Sequence, residues 1–233
     1  MLPFLIAQYE QDSRSGVKAL IAQATGRVRK LEAERDRIKQ SMQYERTYAS
    51  YAHICGIDEV GRGPLAGPVV AGAVILPKDC TILYINDSKK LSAKKREELY
   101  DIIMEQAISV GIGMVGPARI DEINILQATY EAMRQAIQNL TIKPDILLND
   151  AVTIPMVSIK QVPIIKGDEK SLSIGAASIL AKVERDRLMQ AYDTIMPEYG
   201  FASHKGYGTQ MHMDALKKYG PSPIHRASFL KNM

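Results

Sequence analysis

The sequence predicts an α/β domain, a mixed sheet with helices on its faces, carried behind an N-terminal helical extension. Three observations predict it. Apolar residues in the first fifty positions recur at helical spacing; short runs rich in Val, Ile and Ala then form a cluster; further short runs alternate with helical patterns. The chain has 233 residues, 46% hydrophobic and 24% charged, which suits one core with at most one appendage.

From Ser15 to Tyr48, Val17, Leu20, Ile21, Ala24, Val28, Leu31, Ile38 and Met42 fall on one stripe, and Arg27, Arg29, Lys30, Glu32, Glu34, Arg35, Asp36 and Lys39 lie on the other faces. This reads as one long amphipathic helix or a helical hairpin. It serves either as a packing appendage or as a contact for nucleic acid or a partner. Composition changes near Tyr51, dividing an extension over 1–50 from a main domain over 51–233.

Ile54 to Val60 reads as a strand interrupted by acids, Gly61-Arg62-Gly63-Pro64 as a turn, and Val69 to Leu76 as a second strand. Ser92 begins a helix with Leu99, Ile102, Ile103 and Ala107 as its buried stripe. Ser109 to Val115 is a third strand, and Ile120 to Leu140 is helical until Pro144 stops it. Ile146 to Asp150 is a buried strand ending in an acid, and Val157 to Ile165 is extended. Leu172 to Tyr192 is a helix with Ala176, Ile179, Leu180 and Val183 inside, and a last short helix covers Thr209 to Tyr219.

The net charge of +4 permits a polyanionic partner without demonstrating one. Cys55 reads as a small buried hydrophobe, and neither it nor Cys80 sits in a C-x-x-C pair, so a zinc or dithiol site is not expected. The opening Met1-Leu2-Pro3-Phe4-Leu5-Ile6 is too short for a signal segment. No run approaches the roughly 20 apolar residues of a membrane span. A cytoplasmic protein is expected.

The acids carry the chemistry. Asp58 and Glu59 interrupt an apolar strand, Asp150 ends another, and Asp168 follows Ile164-Ile165-Lys166-Gly167. Buried carboxylates are costly unless neutralised. Their partners are either bound hard cations, Mg2+ or Mn2+, or the side chains of Arg62, Lys166 and Lys170. Adjacent strand residues face opposite ways, so Asp58 and Glu59 can share a site only where the strand bends or ends. None of His53, His204, His212 and His225 has zinc-ligand spacing, and each reads as a core or surface histidine. Gly61-Arg62-Gly63 is either a rigid turn or a place where backbone approaches a ligand closely. Tyr207, between Gly206 and Gly208, is either a core residue or a ring against a sugar or base. Lys89, Lys90, Lys94, Lys95 and Arg96 form either a solvated face or a phosphate contact.

Together these segments resemble ribonuclease HII. The run Gly56-Ile57-Asp58-Glu59-Val60-Gly61-Arg62-Gly63-Pro64-Leu65-Ala66-Gly67-Pro68-Val69-Val70 is similar to that family's opening motif. In family order follow Asn86-Asp87-Ser88-Lys89-Lys90-Leu91, Leu147-Leu148-Asn149-Asp150, Lys166-Gly167-Asp168, the run from Ala176 to Asp186, His204-Lys205-Gly206-Tyr207-Gly208-Thr209 and His225-Arg226-Ala227-Ser228-Phe229. The resemblance implies a ribonuclease H-like mixed five-stranded sheet flanked by helices. It implies hydrolysis of the RNA strand in RNA/DNA hybrids and incision 5′ to single ribonucleotides in duplex DNA, leaving 5′-phosphate and 3′-hydroxyl ends. It assigns metal binding and catalysis to Asp58, Glu59, Asp150 and Asp168. It assigns ribonucleotide recognition to Gly61, Arg62, Gly63 and Tyr207, and Lys89 and Lys205 are the candidate phosphate contacts. Two Mg2+ or Mn2+ ions, a nucleic-acid duplex as partner and a monomer are expected. A non-catalytic nucleic-acid-binding module would leave the strand-end acids unexplained. A different metal-dependent phosphoesterase would not carry this series of motifs.

Overall fold

A computed structural model describes residues 2–231. Strands β1 (Ile54–Val60), β2 (Val69–Ile75), β3 (Ser109–Val115), β4 (Ile146–Asp150) and β5 (Lys160–Ile164) form one sheet in the order β3-β2-β1-β4-β5. β2 is flanked on both sides and is Val, Ala, Gly and Ile throughout, as a strand buried on both faces must be. β1 pairs antiparallel with β2 and parallel with β4, and β4 pairs parallel with β5. Three parallel strands therefore end at one edge of the sheet.

Helices α4 (Ala93–Gln106) and α7 (Leu172–Ile195) cover one face, and α5 (Pro117–Gln138) covers the other. Val74 packs with Leu99, Ile103 and Ile179 on the first face; Ile57, Ala71 and Ala73 pack with Ala128, Ala132 and Met133 on the second. α7 lies directly on the sheet: a Cβ at Gly56 would stand 2.1 Å from the Ser173 carbonyl carbon. Ser92 and Ser171 cap α4 and α7, accepting from the Lys95 and Ile174 amides. The single helical pattern read over Ile120 to Leu140 is kinked. Asn124 takes φ 67, and its Oδ1 accepts from the Leu126 and Gln127 amides, restarting the helix as a cap does.

The extension is a hairpin of α1 (Leu2–Tyr9) and α2 (Ser15–Ser41), followed by α3 (Gln43–Thr47). The far end of α2 joins the main body. Ile38 is buried in the core, Arg37 donates to Ile85 O at 2.6 Å, and Glu34 accepts from Tyr84 N at 2.7 Å. Glu45 of α3 accepts from Ser171 Oγ at 2.6 Å and Ser173 N at 3.0 Å, reinforcing the start of α7. Short helices complete the chain: α6 (Gly167–Lys170), α8 (Phe201–His204), α9 (Gln210–Tyr219) and α10 (Ala227–Leu230). The helix over Thr209 to Tyr219 is thus not the last. Among the described residues no helix is long and apolar enough to cross a membrane.

Candidate active site

The parallel strands deliver the acids. Ile57 of β1 lies opposite Asn149 of β4, so Asp58 and Asp150 come next, side by side at the carboxyl edge of the sheet. Alternation puts both on the α7 face, with Gly56 and Leu148. β5 ends at Ile164, and Asp168 follows in the first turn of α6, beyond any strand. Asp150 Oδ1 accepts from Gly167 N at 2.7 Å and ties these two acid-bearing segments together. Glu59 is turned differently. β1 neither bends nor ends at the acids, since it pairs with β2 through Val60; what ends, at Ile57, is its pairing with β4. Asp58 and Glu59 therefore lie beyond the parallel ladder, and Asp58 Oδ1 accepts the Glu59 amide at 2.7 Å.

Burial, and then the Glu59 charge, hold the Asp58 carboxyl well above its usual range, while the Ser178 hydroxyl opposes the shift. Burial also raises Glu59; the Arg62 charge opposes this and the Asp150 charge adds to it. Asp168 is raised by burial, then by Asp150 and Asp87, against Lys89. Of the four acids only Glu59 has an ion pair among the described residues, with Arg62 Nη1 at 3.4 Å. Lys170 donates instead to Ile165 O, and Lys166 takes a left-handed conformation ahead of α6. An all-oxygen set of desolvated, mutually repelling carboxylates fits a hard divalent cation. Among the described residues, no three His, Cys, Asp or Glu side chains are grouped closely enough to hold a metal ion as they stand.

The glycine loop stands beside the acids. Gly61 has φ +92, and a Cβ there would stand 2.3 Å from Arg185 Nε, so only glycine fits. Gly63 is exposed and faces Tyr207, whose Cε1 would be 3.7 Å from an added Cβ. Tyr207 is 44% exposed, so it is not a core residue. Lys89 lies exposed on a 3-10 turn over Ser88–Lys90, where its charge reaches Glu59 and Asp168. Lys205 is set apart from the acids: its ammonium donates back to Ala202 O, in a polar cleft of about 420 Å3 shared with Arg96, Lys182, Asp186 and Tyr207. Part of the basic run is structural. Lys90 pairs with Glu169, Lys95 with Glu98, and Arg96 donates to Ser88 O and Leu91 O.

Reading the histidines singly misses their arrangement. His204, His212 and His225 form one buried cluster under the Tyr207 loop. His225 Nδ1 accepts from Ser222 N, leaving its Nε2 to donate to His212 Nε2 at 2.9 Å. His212 Nδ1 then donates to Tyr207 O at 2.9 Å. His204 Nδ1 accepts from Gly206 N, and its Nε2 donates to Tyr199 O. Every ring nitrogen is used, so the cluster positions the loop and has no lone pair left for a metal. Arg185 and Arg226, also without a role in the sequence reading, are fully buried against the glycine loop. Spacing gives no signal for either group.

Residues 55–232 match the Ribonuclease HII family, and residues 3–49 match the Ribonuclease HII N-terminal domain. The chain is 68% identical over 226 residues to the Ribonuclease HII of Lachnoclostridium phytofermentans, covering 97% of this chain and 89% of that protein. Its fold is similar to the crystal structure of ribonuclease H2 from Pyrococcus horikoshii OT3, with TM-score 0.62 and 28% identity over 76% of this chain and 93% of that one. Bst-RNase HIII, solved in complex with Mn2+, shares the fold at TM-score 0.57 and 14% identity, over 72% of this chain and 63% of that one. The mixed five-stranded sheet with flanking helices is the ribonuclease H fold, as expected from sequence.

Proposed function

The chain belongs to the ribonuclease HII family, and on that premise we propose that it incises duplex DNA 5′ to single embedded ribonucleotides. Membership itself makes it a ribonuclease H, a hydrolase acting on RNA/DNA hybrids. The incision, its chemistry and the residues that perform it are our reading. The observation that carries it is the gathering of Asp58, Glu59, Asp150 and Asp168 at one edge of the sheet, beside a glycine loop faced by an exposed tyrosine.

In this reading the four acids hold divalent cations, Mg2+ or Mn2+, two in number. Such ions supply an activated water and stabilise the leaving oxygen in phosphodiester hydrolysis. Asp58, Glu59 and Asp150 hold the reacting edge, and Asp168 completes the set from α6. Arg62 and Lys89 offset the carboxylate charge and attract phosphate; Lys205 meets the strand further along the cleft. Phosphate is common to RNA and DNA, so selectivity needs groups that sense the 2′-hydroxyl. Gly61, Arg62 and Gly63 offer close backbone, and Tyr207 offers a ring against the sugar. The products carry 5′-phosphate and 3′-hydroxyl ends. We read the enzyme as a monomer, with residues 1–50 as a helical extension and 51–233 as the catalytic domain.

The test is cleavage of three duplexes, one with a single ribonucleotide, one an RNA/DNA hybrid and one all DNA, each with Mg2+, Mn2+ or chelator. Incision 5′ to the single ribonucleotide, lost with chelator, is expected. Cleavage of the hybrid alone removes the incision proposal, and cleavage in chelator removes the cation assignment.

A further inference from the structure

The two largest fully buried side chains are both arginines, and both are bonded to backbone carbonyls. Arg226 donates from Nη2 to Gly61 O at 2.5 Å and Gly67 O at 2.8 Å, from Nη1 to Arg62 O at 2.9 Å, and from Nε to Gly67 O at 3.0 Å. Arg185 donates to Pro68 O, Ala66 O and Lys205 O at 2.9–3.1 Å. A buried guanidinium carries a desolvation cost of several kcal/mol. Bonds to charged groups return more than ordinary hydrogen bonds, and a planar fork of five donors is what several carbonyls at fixed angles require.

The consequence follows from peptide geometry. In a trans peptide the C=O of one residue and the N–H of the next point in opposite directions. Holding Gly61 O and Arg62 O inward, against Arg226, therefore turns the Arg62 and Gly63 N–H groups outward. Arg62 and Gly63 are exposed, and among the described residues neither amide donates within the chain. Tyr207 stands against the same exposed loop, its Cε1 3.7 Å from a Cβ added at Gly63.

We propose that Arg226 is the positioning residue for sugar recognition, setting the preference for a ribonucleotide by aiming the Arg62 and Gly63 amides at the 2′-hydroxyl. This rests on the reading that the glycine loop senses the sugar. The segment holding Arg226 is itself anchored. Asp121 accepts from Ala227 N at 2.8 Å and from Ser228 N at 2.9 Å, and Arg226 N donates to Leu65 O at 2.9 Å. A lysine at 226 keeps the charge but carries its three donors on a single nitrogen, so it cannot reproduce bonds that Nε, Nη1 and Nη2 make from separate positions on a planar fork.

The experiment measures kcat and KM of the full chain on two duplexes that differ at one sugar, 2′-hydroxyl against 2′-fluoro, a poor hydrogen-bond acceptor. The parent should prefer the hydroxyl. In Arg226→Lys the ratio of the two kcat/KM values should fall by about tenfold, the worth of one hydrogen bond to a hydroxyl. A purely structural role lowers the folded fraction and slows both substrates alike, leaving the ratio and both KM values unchanged. That result overturns the proposal and leaves the loop reading intact, whereas a parent without hydroxyl preference sinks the loop reading and the proposal with it. If Arg226→Lys does not fold, Asp121→Ala decides, because it frees the anchored segment from the surface. A several-fold fall in the ratio supports the proposal, and an unchanged ratio overturns it.

Discussion

Replacing Gly61 and Gly63 by alanine, one at a time, should separate stability from recognition. At Gly61 the backbone is left-handed, φ +92, and an added Cβ would stand 2.3 Å from Arg185 Nε and 2.7 Å from Pro68 O. A side chain in that conformation costs about 1–2 kcal/mol. The methyl also pushes on a fully buried guanidinium that donates to Pro68 O at 3.0 Å. Losing one hydrogen bond to a charged group costs about 1.5–3 kcal/mol. Together the change is about 2.5–5 kcal/mol, against about 5–15 kcal/mol for a whole domain. Gly63 is different. An added Cβ meets only Tyr207 Cε1, at 3.7 Å, which is ordinary contact. Stability should change by no more than about 0.5 kcal/mol. Yet that methyl fills the exposed face between the loop and the ring, where the sugar lies in the proposed reading. A displacement near 1 Å lowers rates about 10²-fold. Urea unfolding in chelator and steady-state incision of a single-ribonucleotide duplex measure the two effects. A Gly63→Ala enzyme with the parent's kcat/KM would refute the placement of the sugar. A Gly61→Ala protein destabilised by less than about 1 kcal/mol would refute the packing argument.

Asp58→Asn should abolish cleavage at saturating Mg2+ yet raise Tm in chelator, because burial and Glu59 disfavour its charge; near-parental cleavage would remove Asp58 from the catalytic set. Burial and His212 push His225 down to about 4, so it is neutral in the fold and its contribution is complete above the unfolded value near 6.5. That contribution is lost as pH falls from 6.5 towards 4, by about 3 kcal/mol in all. The stability gap between the parent and His225→Gln should therefore shrink between pH 7.5 and 5 in chelator, and a constant gap would disprove the neutral cluster. Tyr207→Ala should lower single-ribonucleotide incision far more than duplex binding, while Tyr207→Phe keeps most activity if stacking dominates; parental kinetics for Tyr207→Ala would place recognition elsewhere. A protein beginning at Glu45 should fold, since Glu45 still supports the start of α7. It should lose about 2–5 kcal/mol with Ile38, and an unfolded product would make α2 part of the core.

The acids were legible because a carboxylate inside an apolar run breaks the pattern of a buried strand. Asp58 and Glu59 interrupt such a run and Asp150 ends one, and both strands were read from those same apolar runs. Asp168 was found by its neighbours, but its four-residue helix was not, since α6, α8 and α10 are shorter than the repeat that identifies a helix. The kink at Asn124 was hidden because helical spacing continues across it. The buried arginines were hidden for another reason. Arginine reads as surface, and what buries Arg185 and Arg226 are carbonyls 117 and 165 residues away in the chain. The histidine cluster is likewise a product of tertiary structure, with His212 and His225 thirteen positions apart and meeting nitrogen to nitrogen.

These hidden residues bear on the visible ones. A fold with four partly buried acids and two buried guanidiniums could have paired them and neutralised both. Here the two sets are kept separate. Burial holds Asp58 above its usual range, while burial and the Arg185 charge press Arg226 down to about 9, so neither is relieved by the other. Arg226 remains charged at neutral pH and satisfies its donors on the carbonyls of Gly61, Arg62 and Gly67. Had either arginine reached Asp58 or Asp150, the acid edge would be neutralised by its own chain and would hold cations weakly. In the proposed reading, directing the guanidiniums to backbone leaves the carboxylate charge for the cations and holds the loop beside them in place. In that reading, charge held for phosphate chemistry and backbone held for the sugar sit next to each other and meet at Arg62, whose side chain pairs with Glu59 while its carbonyl is held by Arg226. An arginine-to-lysine change should therefore alter which sugar is cut, while an aspartate-to-asparagine change alters whether anything is cut.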